Sequence, residues 1–325
     1  MSRNFEDKKV AVVLINMGGP ESESEIKEFI RSLLGDPFVT GMPGLMRSFL
    51  SWMVSTTRAP RVAEHYRMIG GKSPLREWTR KQAEKAQSLL KPELPQIDVC
   101  DAYSYSEPRI DDKLAELADQ NYERIVAVPM YPQFARSTLG RVYFDLALAS
   151  KKHGLKGKLS TIPPFYDHPD YIQAKVARLE KALAGIDLSK PYHVLFSAHA
   201  LPQSHIAKGD PYGQQIDRTV MSILDRHPLD NYTVCFQSKI GPVKWMQPST
   251  IDSVRKVALD GVKQVVVMPV GFVCDHLETL FELDIELREI AEKTGIDKFV
   301  RAEVFNDGDD FIELIGKLVM ESLDG

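Results

Sequence analysis

Cysteine is scarce in this chain. Only three occur in 325 residues, Cys100, Cys235 and Cys274, each in or beside an apolar run and none near another. That excludes a disulfide framework and a sequence-local metal clip, and reads as reduced thiols in the core. No cysteine follows Cys274, so no C-terminal iron–sulfur ligand set is expected. Long hydrophobic runs are missing as well. The longest, residues 10–15 and 265–274, fall far short of the ~20 residues that cross a bilayer. Residues 1–9 are polar and charged, without the apolar centre of a secretory leader, so a cytoplasmic location is expected. Positive charge is not in excess: 41 Lys and Arg face 45 Asp and Glu, which leaves no basic field for a nucleic-acid partner. H-E-x-x-H, C-x-x-C and G-x-S-x-G are all absent, which removes zinc proteases, thiol redox motifs and the common serine hydrolases.

What the chain does have is alternation. Short β-branched runs at 10–15, 97–103, 124–129 and 158–162 recur in the second half at 192–197, 232–237, 264–270 and 299–304. Helical patterns lie between them, for instance at 74–90, 171–184 and 248–260. Continuous apolar strands separated by helices predict parallel sheets covered on both faces. Four strands per half predict an α/β fold made of two similar doubly wound domains with four-stranded parallel sheets. The third strand of each half ends alike, Val128-Pro129 against Met268-Pro269. The expected division is 1–165 and 166–308, with a final helix within 309–325 packing back on the first domain.

The first strand runs into Met17-Gly18-Gly19-Pro20, which invites a dinucleotide reading. G-x-G-x-x-G is missing, however, and Glu21, Glu23 and Glu25 would repel a pyrophosphate at the helix start. A tight strand-to-helix turn is the better reading.

Functional side chains in an open parallel sheet sit beyond the carboxyl ends of its strands. Two such exits in the second half are chemically loaded: Ala198-His199-Ala200-Leu201-Pro202, and the run from Gly271 to Asp275-His276-Leu277-Glu278. Strands of one parallel sheet end on one edge, so His199 and the 275–278 segment are expected to share a site. Glu278, Glu282 and Glu286 then recur every four residues, which on an α-helix is one face drifting by about 40° per step. Such a row is either a solvated acidic face or a line of carboxylates that passes a divalent cation or protons. His199 and His276 are each either structural or functional, and His276 reads as an orienting group. The other histidines, His65, His153, His168, His193, His205 and His227, read as structural or surface residues.

Two segments suit a flat apolar ligand. Residues 41–54 carry Met42, Leu45, Met46, Phe49, Leu50, Trp52 and Met53, and read either as core or as a ligand lip. The other is Tyr131-Pro132-Gln133-Phe134 with Arg136 and Arg141, at the exit of the third strand.

Taken in order, several motifs resemble the ferrochelatase family over nearly the whole chain. They include Asn16-Met17-Gly18-Gly19-Pro20, the run 65–75, Tyr131-Pro132-Gln133, Phe196-Ser197-Ala198-His199-Ala200-Leu201-Pro202, Gly209-Asp210-Pro211-Tyr212, the run 237–242, and Asp275-His276-Leu277-Glu278-Thr279-Leu280. The resemblance implies two Rossmann-like domains and insertion of Fe²⁺ into a porphyrin. Iron is then a substrate, and no prosthetic group is implied. It places His199 at the porphyrin face with Glu278 close by, and associates Glu282 and Glu286 with metal or proton passage. His199, Glu278, Glu282 and Glu286 are thus the candidate metal-contacting residues. Met17, Tyr131, Arg136, Trp245 and His276 are the candidate porphyrin contacts. Met17, where the coproporphyrin-using branch has tyrosine, together with Tyr131-Pro132-Gln133, resembles the protoporphyrin-using branch.

This chain departs from the family pattern at Ser104-Tyr105, at Ser137-Thr138-Leu139-Gly140 and at Ala200, which bears on the contacts to the porphyrin propionates. The lip at 41–54 is a candidate for peripheral membrane contact, and the oligomeric state stays open. The alternatives are a coproporphyrin III ferrochelatase, a related tetrapyrrole chelatase, or a porphyrin carrier without turnover.

Overall fold

The computed structural model describes residues 8–239, 241 and 243–324; the polar opening, Ile240 and Pro242 of the 237–242 motif, and Gly325 lie outside the described residues. Two compact units divide the chain. The first comprises residues up to Tyr131, Ala135–Pro164 and the segment from Asn306 onward; the second comprises Pro132–Phe134 and Phe165–Phe305.

The first unit holds β1 (Val10–Asn16), β2 (Ile97–Tyr103), β3 (Arg124–Pro129) and β4 (Leu159–Thr161), all parallel, in the order β2-β1-β3-β4. The second holds β5 (Tyr192–His199), β6 (Tyr232–Gln237), β7 (Gln264–Pro269) and β8 (Lys298–Arg301), all parallel, in the order β6-β5-β7-β8. The duplicated α/β architecture predicted from the apolar runs is what the chain adopts. The repeat extends to single hydrogen bonds. Pro129 sits opposite Ile15 and Pro269 opposite Ser197, and the next amide returns each time, Met130 N to Ile15 O at 2.8 Å and Val270 N to Ser197 O at 2.9 Å.

Burial explains the unbroken apolar runs. Every residue of β1 and β7 is buried, because both are interior strands with covered faces. Val265, Val266 and Val267 are fully buried, each contributing about 1.5–3 kcal/mol of transfer free energy. In the first unit the helix Asp309–Asp324 packs against Leu75–Leu90. A Cβ at Gly316 would meet the end of the Leu89 side chain at 2.9 Å, so a larger residue there would require Leu89 to shift.

The turn after β1 behaves as a strand-to-helix turn with a carboxylate at its helix end. Glu25 Oε2 accepts from Glu21 N–H at 3.0 Å, occupying the place a phosphate would need. Residues 41–54 are not core. Gly41 (φ 62°) ends the short helix Pro37–Thr40, and Pro43 immediately precedes a helix of 25 residues, Gly44–Met68. Its buried positions are Ser51, Ser55, Ala63 and Tyr66, while Leu45 (93% exposed), Phe49 (63%) and Trp52 (52%) face outward. Among the described residues, no helix is long and apolar enough to cross a membrane.

Candidate active site

The chemistry gathers at the carboxyl edge of the second sheet. β5 runs two residues beyond the expected end, so His199 is the last residue of a strand rather than part of a loop. It pairs with Gln237 at the end of β6, and Ala200 N–H closes the ladder onto Gln237 O at 2.9 Å. β7 exits through Val270 to Leu277 into the helix Glu278–Leu287. The two exits meet: His199 Nδ1 lies 2.9 Å from Glu278 Oε2, and His276 Nε2 lies 3.8 Å from the same oxygen.

That helix differs from the expected α-helix. It is wound with i→i+5 hydrogen bonds from Glu278 to Leu287, a wider turn that keeps residues four and five apart on one side. Glu282 stands beside Glu278, as residues four apart do on either winding, and accepts from Ser238 Oγ at 2.5 Å and Gln237 Nε2 at 3.3 Å. Gln237 Nε2 also donates to Glu278 O at 2.9 Å. The amide is held in that orientation because its oxygen accepts from Ser197 Oγ at 2.8 Å, and Ser197 is linked to Thr250 Oγ1 at 2.8 Å. Sequence reasoning assigned no role to Gln237, Ser238, Ser197 or Thr250. The available signal was the position of Gln237-Ser238 at a strand exit on the same edge as His199.

The exit of β7 is also held from beneath. Lys175, fully buried, donates to Pro269 O at 2.9 Å and Phe272 O at 3.2 Å, and Tyr171 OH donates to Val270 O at 2.8 Å. Burial drives the Lys175 ammonium well below the ordinary lysine value. Between these anchors, a Cβ at Gly271 would come within 3.2 Å of Gln133 Oε1.

Electrostatics separate the three acid–base groups. Burial alone would lower the pKa of His199, but the charge and hydrogen bond of Glu278, helped by Glu282, raise it above the ordinary histidine value. Burial opposes ionisation of Glu278, yet His199, then His276 and Ser238, hold it down at about 2. Glu282 goes the other way, pushed up to about 7 by burial and by the charge of Glu278. Burial lowers His276, consistent with a neutral orienting ring. The site thus combines an anchored carboxylate, an imidazole beside it and a second carboxyl that burial and its charged neighbour make easier to protonate. With Nδ1 turned to Glu278, His199 has Nε2 left for a substrate.

The remaining candidates separate. Trp245, half-buried, lies on the segment that pairs with the chain just after His199: Gln203 N–H donates to Lys244 O at 2.8 Å and Met246 N–H to Leu201 O at 3.0 Å. Glu286 lies further along the wide helix, partly exposed, without a hydrogen bond or ion pair to a described residue. Met17, Tyr131 and Arg136 belong to the first unit. Met17 and Tyr131 follow the carboxyl ends of β1 and β3, and Arg136 is exposed, its guanidinium 6.0 Å from the Phe38 ring. Among the described residues, no three His, Cys, Asp or Glu side chains are grouped to hold a metal ion.

The sequence profile named Ferrochelatase matches residues 9–323. The chain belongs to the ferrochelatase family. A ferrochelatase of Citrifermentans bemidjiense is 38% identical over 96% of this chain and 98% of its own length. A ferrochelatase of Aquifex aeolicus is 35% identical over 96% and 98%. Members of this family are lyases that insert iron into a porphyrin. Among solved structures, SirB from Bacillus subtilis with Fe³⁺ superposes at a TM-score of 0.58, with 10% identity over 97% of this chain and 95% of that one. The multi-domain protein DR2241 from Deinococcus radiodurans superposes at 0.53, with 14% identity over 96% of this chain and 55% of that one. At such identities the likeness is one of fold.

Proposed function

We propose that this ferrochelatase-family chain inserts Fe²⁺ into protoporphyrin IX to form protohaem, releasing two protons, with His199 as the base. The observation that carries the reading is the 2.9 Å approach of His199 Nδ1 to Glu278, with a second carboxyl, Glu282, held beside it by Ser238. A flat porphyrin keeps its N–H groups inward, so the ring must be ruffled to expose nitrogen lone pairs, at about 1–5 kcal/mol drawn from binding elsewhere on the macrocycle. His199 Nε2 then accepts a pyrrole proton, Glu278 stabilises the imidazolium, and Glu282 carries protons away. Fe²⁺ accepts nitrogen and oxygen donors, and His199, Glu278, Glu282 and Glu286 are the groups proposed to hand it on without retaining it.

Met17, Tyr131, Arg136, Trp245 and His276 are proposed porphyrin contacts. Protoporphyrin is favoured over coproporphyrin by Met17 and Tyr131-Pro132-Gln133. The outward apolar face of Gly44–Met68 suits a porphyrin lip and peripheral contact with a lipid surface. A cytoplasmic location without a prosthetic group completes the reading. Zinc insertion followed by fluorescence, with protoporphyrin and coproporphyrin in parallel, tests it. Turnover of protoporphyrin abolished in His199→Ala supports it; porphyrin binding without turnover in the parent chain would make the protein a carrier.

A further inference from the structure

A helix closed by i→i+5 hydrogen bonds is rare and occurs mostly as single turns inside ordinary helices. Glu278–Leu287 keeps that winding over 10 residues, which calls for support from outside its own backbone. β8 ends in Arg301, and the strand order sets β8 directly beside β7, whose exit leads into this helix. The Arg301 side chain, only 10% exposed, meets two carboxylates: Asp275 Oδ1 at 3.2 Å, just ahead of the helix, and Asp284 Oδ2 at 2.6 Å, in its middle.

Each carboxylate is tied to the helix in turn. Asp275 Oδ1 accepts from Thr279 Oγ1 at 2.8 Å, and that hydroxyl oxygen accepts from His276 N–H at 3.0 Å. The other oxygen of Asp284 takes Arg288 at 2.8 Å, and Arg288 also donates to Phe299 O on β8 at 2.9 Å. Glu278 and Glu282 lie between the two anchored carboxylates.

We propose that Arg301 is a positioning residue: by bridging Asp275 and Asp284 from β8, its guanidinium holds the helix 278–287 in its wide winding and so places Glu278 against His199 and Glu282 against Ser238. The planar fork is what this bridge requires. A guanidinium serves two carboxylates in different directions at once, whereas an ammonium on a flexible stem is a single point charge. The catalytic consequence rests on the reading of His199 and Glu278 given above; the structural consequence does not.

The test compares Arg301→Met, Arg301→Lys and Asp284→Asn in the full chain, by zinc-insertion kinetics and by crystal structures of the variants. Arg301→Met is expected to lower kcat about 100-fold, the scale of a misplaced reacting group, with porphyrin KM changed by less than about threefold. Arg301→Lys is expected to recover only part of that rate, because it serves one carboxylate at a time. The crystal structures are expected to show the helix tightened to i→i+4 bonds and the Glu278 carboxylate moved out of hydrogen-bond range of His199. A wide helix with Glu278 still bonded to His199 in Arg301→Met overturns the proposal whatever the rate. If that variant does not fold, Asp284→Asn decides: unchanged winding with normal kcat overturns it. Near-normal insertion by His199→Ala is a separate failure, removing the base assignment while leaving the crystallographic outcome to judge Arg301.

Discussion

The Ser238 hydroxyl stands 2.5 Å from the Glu282 carboxylate, and it is delivered there from a left-handed backbone, φ 66°. Such a conformation in a non-glycine residue costs about 1–3 kcal/mol and persists where its surroundings over-determine it. Two variants separate the hydrogen bond from the strain. Ser238→Ala loses the hydrogen bond and keeps the strain; Ser238→Gly loses both. Urea unfolding is expected to rank both the native chain and Ser238→Gly above Ser238→Ala, the native chain by about 1–3 kcal/mol for the charge-assisted hydrogen bond. Equal stabilities of the two variants would mean the backbone is unstrained there.

Glu278→Gln tests the acid–base pair. His199 must be neutral to accept a proton, and its raised pKa means that the accepting form is lost at a higher pH than for an ordinary histidine. Burial remains in the variant but the charge of Glu278 is gone, so the pKa of His199 falls and the acid limb of the insertion rate moves to lower pH. The maximal rate is expected to drop roughly 100- to 10,000-fold, the usual worth of a general acid–base group. The check is a pH profile of zinc insertion; an unmoved acid limb separates the two groups functionally.

Glu282 gives a stability prediction of definite sign. Its folded pKa lies at about 7, above the ordinary glutamate value, so its contribution is fully present at low pH and is lost as pH rises through about 7. Above that range the ionised carboxylate, facing Glu278 in a desolvated site, destabilises the fold. Glu282→Gln is therefore expected to raise the melting temperature at pH 8.5 and to leave it near the native value at pH 5.

The exposed apolar face of Gly44–Met68 separates binding from folding. Phe49→Ser with Trp52→Ser removes two side chains that are more than half exposed, so stability is expected to fall by less than the roughly 3–5 kcal/mol that truncating a core aromatic costs. Porphyrin affinity, or association with phospholipid vesicles, is expected to weaken. Titration of porphyrin fluorescence and vesicle co-sedimentation measure both, and the absence of any effect on either would leave this face without a binding role.

The strands were legible because interior parallel strands must be apolar on both faces, as Val265 to Val267 show. His199 and Glu278 were legible because parallel strands deliver their exits to one edge. The winding of the acidic helix was not, since glutamates four apart look the same on an α-helix and on a wider one. Gln237 and Ser238 were missed for a related reason. Their role depends on a left-handed residue and an amide held by Ser197, and neither leaves a periodic trace. Residues 41–54 were ambiguous because Met, Phe and Trp serve a core and an exposed face equally well by composition. The small Ser51 and Ser55 on the inward side, read as a pattern, point to the exposed one.

The broad turn of residues 278–287 makes chain length itself something the enzyme depends on. Substitutions leave the number of peptide units between Glu278 and Leu287 unchanged, however they alter the side chains. Removing a single residue would let the segment close as an ordinary helix and swing everything after the gap by about 100° around its axis, as one missing residue does. Insertions and deletions should therefore be tolerated far less in this stretch than its partly solvent-facing surface suggests.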